Sequence, residues 1–220
     1  QLALPVKQRY PCNVYPTLPM PYQRYLAELL STFALTFVVW LSVAFAMPFP
    51  TPIMAALTVM LFVYLIGGVS GAHINPAVTM GMLSIGAINV KDAALYILSQ
   101  LVGAIAAMSL GIIFSGEGVT IPHDGGLLVG IAEALGAFFL TFGIAAVTRK
   151  KIDPSMSGVV VGLSLLIGIY MAFPFSNAIL NPAVALGIGS FGAMYVLGPV
   201  VGAVLGALAF ERFFNQGKTK

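Results

Sequence analysis

Apolar residues in this chain come in long, nearly unbroken runs, without the short amphipathic stripes of a protein folded in water. Six such runs lie at roughly 25–47, 53–70, 92–114, 127–147, 157–173 and 193–213. A run of about 18 apolar residues is the length that reads as a membrane span. Turn-forming segments separate them, among them "PFPTP" at 48–52, "SGEGVTIPHDGG" at 115–126 and "TRKKIDPS" at 148–155. Two shorter apolar pieces remain, at about 76–88 and 182–191. Each opens with Pro at a first helical position, directly after an Asn that can cap it. Each is too short to cross a bilayer, for which a helix needs about 20 residues. The pattern therefore predicts an all-α membrane protein with six transmembrane helices and two re-entrant half-helices. The leader before Tyr22 holds Pro5, Pro11, Pro16, Pro19 and Pro21 and reads as extended and irregular. It carries no apolar core of the signal-peptide kind.

The chain also repeats itself. "AELLSTFALTF" at 27–37 and "AEALGAFFLTF" at 132–142 agree at seven of eleven positions, offset by 105 residues. The Asn-Pro-Ala-Val stretches beginning at Asn75 and Asn181 are offset by 106. Each half then holds three spans and one half-helix. An odd number of spans makes the second half enter from the opposite face, which gives an inverted repeat. One half-helix descends from each side, and their Asn-Pro-Ala ends are expected to meet near the midplane.

Charge fixes the expected orientation. With the N-terminus in the cytoplasm and the half-helices returning, all ten Lys and Arg residues fall inside, while the outer loops carry Glu117 and Asp124. Letting the first half-helix cross would put Lys91 outside and the acidic loop inside, against the positive-inside rule. Composition agrees with a membrane setting: of 220 residues 59% are hydrophobic and 8% charged, against roughly 25% charged in a soluble domain. The single Cys12 cannot form an intrachain disulfide. No metal-ligand cluster, nucleophile–base pair or phosphate loop is visible, so no cofactor is expected, and neither an enzyme nor a nucleic-acid-binding protein fits.

Non-helical backbone at membrane depth survives only when buried in protein or lining a wet cavity. The stretches "GGVSGAH" at 67–73 and "PFSNAI" at 174–179 have the small and polar residues for this. Two helix N-termini directed at one point bring partial positive charge, roughly half an elementary charge each. The Asn75 and Asn181 amides add donors. Such a point suits the oxygen of a neutral polar molecule and repels cations.

The doubled motif (Asn75, Pro76, Ala77 and Asn181, Pro182, Ala183), the stretch "SGAHINPAVT" and the paired Glu28 and Glu133 resemble the aquaporin and aquaglyceroporin channels, over residues 24 to 214. The resemblance implies a homotetramer with one pore per subunit, passing water or small uncharged solutes across the cell membrane. It implies a cytoplasmic leader over 1–24, a channel domain over 25–214 with repeats at about 25–114 and 127–213, and a cytoplasmic tail over 215–220. Glu28 and Glu133 would be carboxylates holding the re-entrant backbone, in keeping with the functional default for an intramembrane acid.

The sequence departs from that family after the second motif. Most members place Arg there; this chain has Val184. By the family's register the other filter positions are Ala55, Ile169 and Ala178, where strict water channels carry an aromatic and a His at the first two. The expected filter is wide, apolar and uncharged. It is closer to members that conduct glycerol-like polyols or neutral metalloid hydroxides. A water-selective channel, a low-flux junction protein of the same fold and a cation-leaking channel are the alternatives. The short "NQGKTK" after Phe214 is expected to disfavour the junction reading. His73 matches the family's His in the first re-entrant loop, with a structural or pH-gating role. His123 is expected to be solvated.

Overall fold

The computed structural model describes residues 21–45, 47–122 and 125–215. The leader over 1–20, His123, Asp124 and the tail over 216–220 lie outside the described residues, so the expectations placed on them have no structural counterpart here. The helices are α1 (Pro21–Ala44), α2 (Thr51–Ser70), α3 (Pro76–Ser84), α4 (Val90–Ser115), α5 (Leu127–Thr148), α6 (Ser157–Ala172), α7 (Pro182–Gly187) and α8 (Ala193–Phe213). A 3-10 turn, Pro154–Met156, leads into α6. Among the described residues six helices are long and apolar enough to cross a membrane: α1, α2, α4, α5, α6 with its leading turn, and α8. Their outward faces expose Leu57, Leu65, Ile113, Leu128, Ile131 and Leu205, side chains that suit a hydrocarbon solvent. The expected fold class, six spans with two half-helices, holds.

The half-helices end sooner than the apolar pattern suggested. Helix α3 stops at Ser84 and α7 at Gly187, where the sequence pattern ran on to about 88 and 191. Glycine explains both ends. Gly86 (φ 69°) and Gly189 (φ 67°) take the left-handed conformation that a helix stop requires. Around them Ala87 N donates to Met82 O and Gly86 N to Leu83 O, and Ser190 N donates to Ala185 O and Gly189 N to Leu186 O. The same hydrogen-bonded stop is therefore built twice. Apolarity continued past it only because the next residues are small or apolar.

Helix contacts repeat in the same way. Helix α1 packs on α4 and α5 on α8. A Cβ at Gly103 of α4 would strike the Leu29 carbonyl of α1, and one at Gly202 of α8 would strike the Ala134 carbonyl of α5. Leu29 and Ala134 are again 105 apart. Small residues at these crossings let backbones approach where lipid supplies no hydrophobic drive between helices. Each half-helix lies mainly against the other repeat: α3 on α8, and α7 on α4 and α1. The Thr36 methyl meets Gly187 and the Thr141 methyl meets Gly81. The two repeats are thus locked through their shortest elements, and this brings Asn75 and Asn181 face to face.

Candidate functional site

The centre is built by four residues that carry positive φ without being glycine: Ala72 (51°), Ile74 (57°), Ala178 (51°) and Leu180 (56°). For a β-branched Ile this conformation is a genuine outlier. It persists only where surrounding structure over-determines it, at roughly 1–3 kcal/mol each. Two fully buried carboxylates supply the determination. Glu28 accepts from Ser70 Oγ (2.6 Å) and His73 N (3.0 Å) on one oxygen, and from Ile74 N (2.7 Å) and Gln100 Nε2 (2.8 Å) on the other. Glu133 accepts from Ser176 Oγ (2.9 Å) and Ile179 N (3.0 Å), and from Leu180 N (2.6 Å). Ser70 Oγ and Ser176 Oγ each accept from the N–H two residues on, Ala72 and Ala178. One acid on the first span of each repeat thereby pins its own re-entrant loop.

The two asparagines then tie the loops to each other. Asn75 Oδ1 accepts from Ala77 N (2.8 Å), capping α3, while its Nδ2 donates to Leu180 O (2.8 Å). Asn181 Oδ1 accepts from Ala183 N (3.0 Å), capping α7, and its Nδ2 donates to Ile74 O (3.0 Å). Pro76 and Pro182 sit at the first helical positions, where a missing N–H costs nothing. Ala77 and Ala183 are fully buried behind them. Each Asn amide has a second hydrogen, and both asparagines line a central cavity.

That cavity is small, about 40 Å³; it shares lining residues with a vestibule of about 420 Å³ and His73 with another of about 540 Å³. The space suits a short file of waters. Ala55, Ile169 and Val184 line both the cavity and the 420 Å³ vestibule, and Ala178 lines that vestibule alone. The structure thus gathers the four expected filter positions at one end. Val39 and Ile179 join them there, and sequence reasoning missed both. A signal for Val39 existed: it follows Glu28 by eleven residues, three helical turns, and so shares its face. Ile144 stands in the same relation to Glu133 and also lines the cavity. Gln100 was missed as well, since its role depends on α4 docking beside α1.

His73 borders the cavity and the 540 Å³ vestibule, which Arg24, Asn89 and Asp92 also line. Its Nδ1 lies 3.2 Å from Thr79 Oγ1, and its ring meets Tyr96 edge-on at 5.2 Å between centroids. Asp92 accepts from Arg24 Nη1 (2.7 Å) and Tyr25 Oη (2.6 Å), joining the ends of α1 and α4. Arg149 bonds Glu211 (2.7 Å) and donates to Ile85 O (2.6 Å), tying the end of α3 to α8. Among the described residues no group of His, Cys, Asp and Glu is placed to hold a metal ion.

Paired capped half-helices meeting inside six spans define a channel-type membrane protein. The sequence model described as Major intrinsic protein matches residues 17–210. Aquaporin NIP1-1 of Zea mays is 36% identical over 174 residues, which span 73% of this chain and 62% of that protein. Aquaporin NIP1-2 of Arabidopsis thaliana is 33% identical, spanning 89% of this chain and 76% of its own length. Aquaporin Z of Rhodopseudomonas palustris is 30% identical, with 87% and 93% covered. An X-ray structure of the aquaglyceroporin from Plasmodium falciparum superposes with a TM-score of 0.73 at 23% identity, covering 87% of this chain and 96% of that one, which shows the fold. The chain belongs to the major intrinsic protein family, the family of the aquaporins, whose members are membrane channels and not enzymes.

Proposed function

We propose that this protein is a passive channel for water and small uncharged solutes, glycerol-like polyols and neutral metalloid hydroxides among them. In this reading it is an atypical family member without the filter Arg, and its filter is the wide apolar ring of Ala55, Ile169, Ala178 and Val184. The observation that carries the reading is the ring's composition: no side chain in it bears a charge or a hydrogen-bonding group, and it opens on a vestibule of about 420 Å³. A carbon-bearing face can slide along such a wall. Hydroxyls are served by re-entrant carbonyls and by the second amide hydrogens of Asn75 and Asn181. Glu28 and Glu133 hold the loops that place these groups, and His73 acts as a structural residue at the opposite mouth.

In this reading the protein is a homotetramer in the cell membrane, with both termini and the Arg24-side vestibule facing the cytoplasm. The narrowness of the central cavity, about 40 Å³, favours the water-selective alternative. Stopped-flow light scattering on proteoliposomes separates the two. Glycerol and urea fluxes above those of protein-free vesicles are expected; acceleration of water alone would leave the water-selective reading standing.

A further inference from the structure

The two ends of the lumen are copies of each other under the inverted repeat, and they are not equally tight. At the outer end, Val39, Ala55, Ile179 and Val184 border both the cavity and the outer vestibule. The 105-residue offset carries Val39 to Ile144, and the 106-residue offset carries Ala55 to Val161. The same 106 residues carry Val78 to Val184 and His73 to Ile179. All four mates line the same central cavity. His73 borders the inner vestibule just as Ile179 borders the outer one. Its mates Val78, Ile144 and Val161 border no vestibule; they line the narrow cavity alone.

Two side chains grow on passing from the outer ring to the inner. Val becomes Ile at the 39/144 pair, and Ala becomes Val at the 55/161 pair, while the 78/184 pair is Val at both ends. Arg at position 184 would reverse this order, and this chain lacks it. Ile169 adds one more side chain to the outer ring; its mate Val63 does not line the cavity. Even so, the outer ring opens directly onto the 420 Å³ vestibule, whereas of the inner ring only His73 reaches a vestibule, and Val78, Ile144 and Val161 line the 40 Å³ stretch alone.

We propose that a second, tighter discriminating ring lies in series behind the wide outer one, formed by His73, Val78, Ile144 and Val161. The inference rests on the channel reading and adds a second selecting step to it. Three of these residues offer the solute only methyl groups. His73 is the sole side chain of the ring with a hydrogen-bonding atom, and Thr79 holds it in place. The inner ring therefore favours solutes that present one polar edge at a time.

The test compares Val161→Ala, which copies the outer-ring residue into the inner ring, with Val184→Ala in proteoliposomes, after gel filtration shows intact assembly. The glycerol-to-water permeability ratio is expected to rise at least about threefold in Val161→Ala, in line with the effect of one or two methylenes in a fitted site. A smaller rise is expected in Val184→Ala, because that side chain already faces the 420 Å³ vestibule. Ile144→Val, one methylene smaller, takes the place of Val161→Ala if that variant does not assemble. A ratio that rises more in Val184→Ala than in the inner-ring variant overturns the proposal. Failure of the channel reading looks different, because wild type would then carry neither water nor glycerol. In that case flux appearing in Val161→Ala supports the inner ring as the barrier, and a silent Val161→Ala overturns it.

Discussion

Replacing Glu133 measures how much of the site depends on one buried acid. In Glu133→Leu the N–H groups of Ile179 and Leu180, now 3.0 and 2.6 Å from carboxylate oxygens, lose their acceptor, while Ser176 Oγ keeps the Ala172 carbonyl at 3.3 Å. An unpaired buried donor costs about 1–3 kcal/mol, so the two N–H groups together cost about 2–6 kcal/mol. A competing effect works against this. Ala178 and Leu180 are held at φ 51° and 56°, strain worth about 1–3 kcal/mol per residue, but Leu180 O stays bonded to Asn75 and Asn177 N to Tyr195, so only a fraction of it is released. The net loss is expected in the lower part of the range, about 2–4 kcal/mol. Glu133→Gln keeps one acceptor oxygen; with that oxygen toward Ile179, its NH₂ faces the Leu180 N–H, which leaves one unpaired donor and a loss of about 1–3 kcal/mol. Denaturant titration in mixed micelles, with solute flux measured on the same preparations, gives the order wild type, Gln, Leu. A Leu variant within about 0.5 kcal/mol of wild type, the range of an inert surface change, would refute the claim that this carboxylate holds the loop.

Three further outcomes follow from the same geometry. Asn75→Ala and Asn181→Ala each remove a helix cap, worth about 1 kcal/mol, and a donor to the opposite loop, so both are expected to lower water flux; full flux in an assembled double variant would place the permeation path elsewhere. Cysteines introduced at Glu117 and Lys150 are expected to react with an impermeant reagent from opposite sides of the membrane, because the proposed orientation puts the basic residues on one side; labelling from one side would contradict the six-span orientation. Protons and alkali cations are expected to be excluded despite Val184, since stripping an ion of water in so apolar a lumen costs several kcal/mol. Vesicles loaded with a pH-sensitive dye check this, and ion-channel-like currents would favour the cation-leak alternative.

Much of this molecule can be read from its chain because lipid imposes a simple rule. A span must be long and apolar, so α5 and α8 begin within a residue or two of where their apolar runs begin. The half-helix lengths were harder to read, because Gly86 and Gly189 end α3 and α7 inside sequence that remains apolar. The paired acids and asparagines stand out in the sequence because polar groups are costly at that depth. The apolar walls do not stand out. Val39, Ile144 and Ile179 look like any lipid-facing or core residue in themselves; the spacing of Val39 and Ile144 from the two acids and the repeat offset are what point to a shared lumen. Gln100 is hidden for the same reason: its amide reaches Glu28 across 72 residues of chain.

The central claim, passage of neutral solutes larger than water past an apolar outer ring, is tested most directly by Val184→Arg. An Arg there introduces a bulky fork of five donors into a ring whose side chains offer none. Glycerol and water permeabilities are to be measured side by side for wild type and for a variant that gel filtration shows to be assembled. The account predicts a wild type that conducts glycerol and a variant whose glycerol permeation falls much further than its water permeation. An assembled variant with the wild-type glycerol-to-water ratio would contradict it.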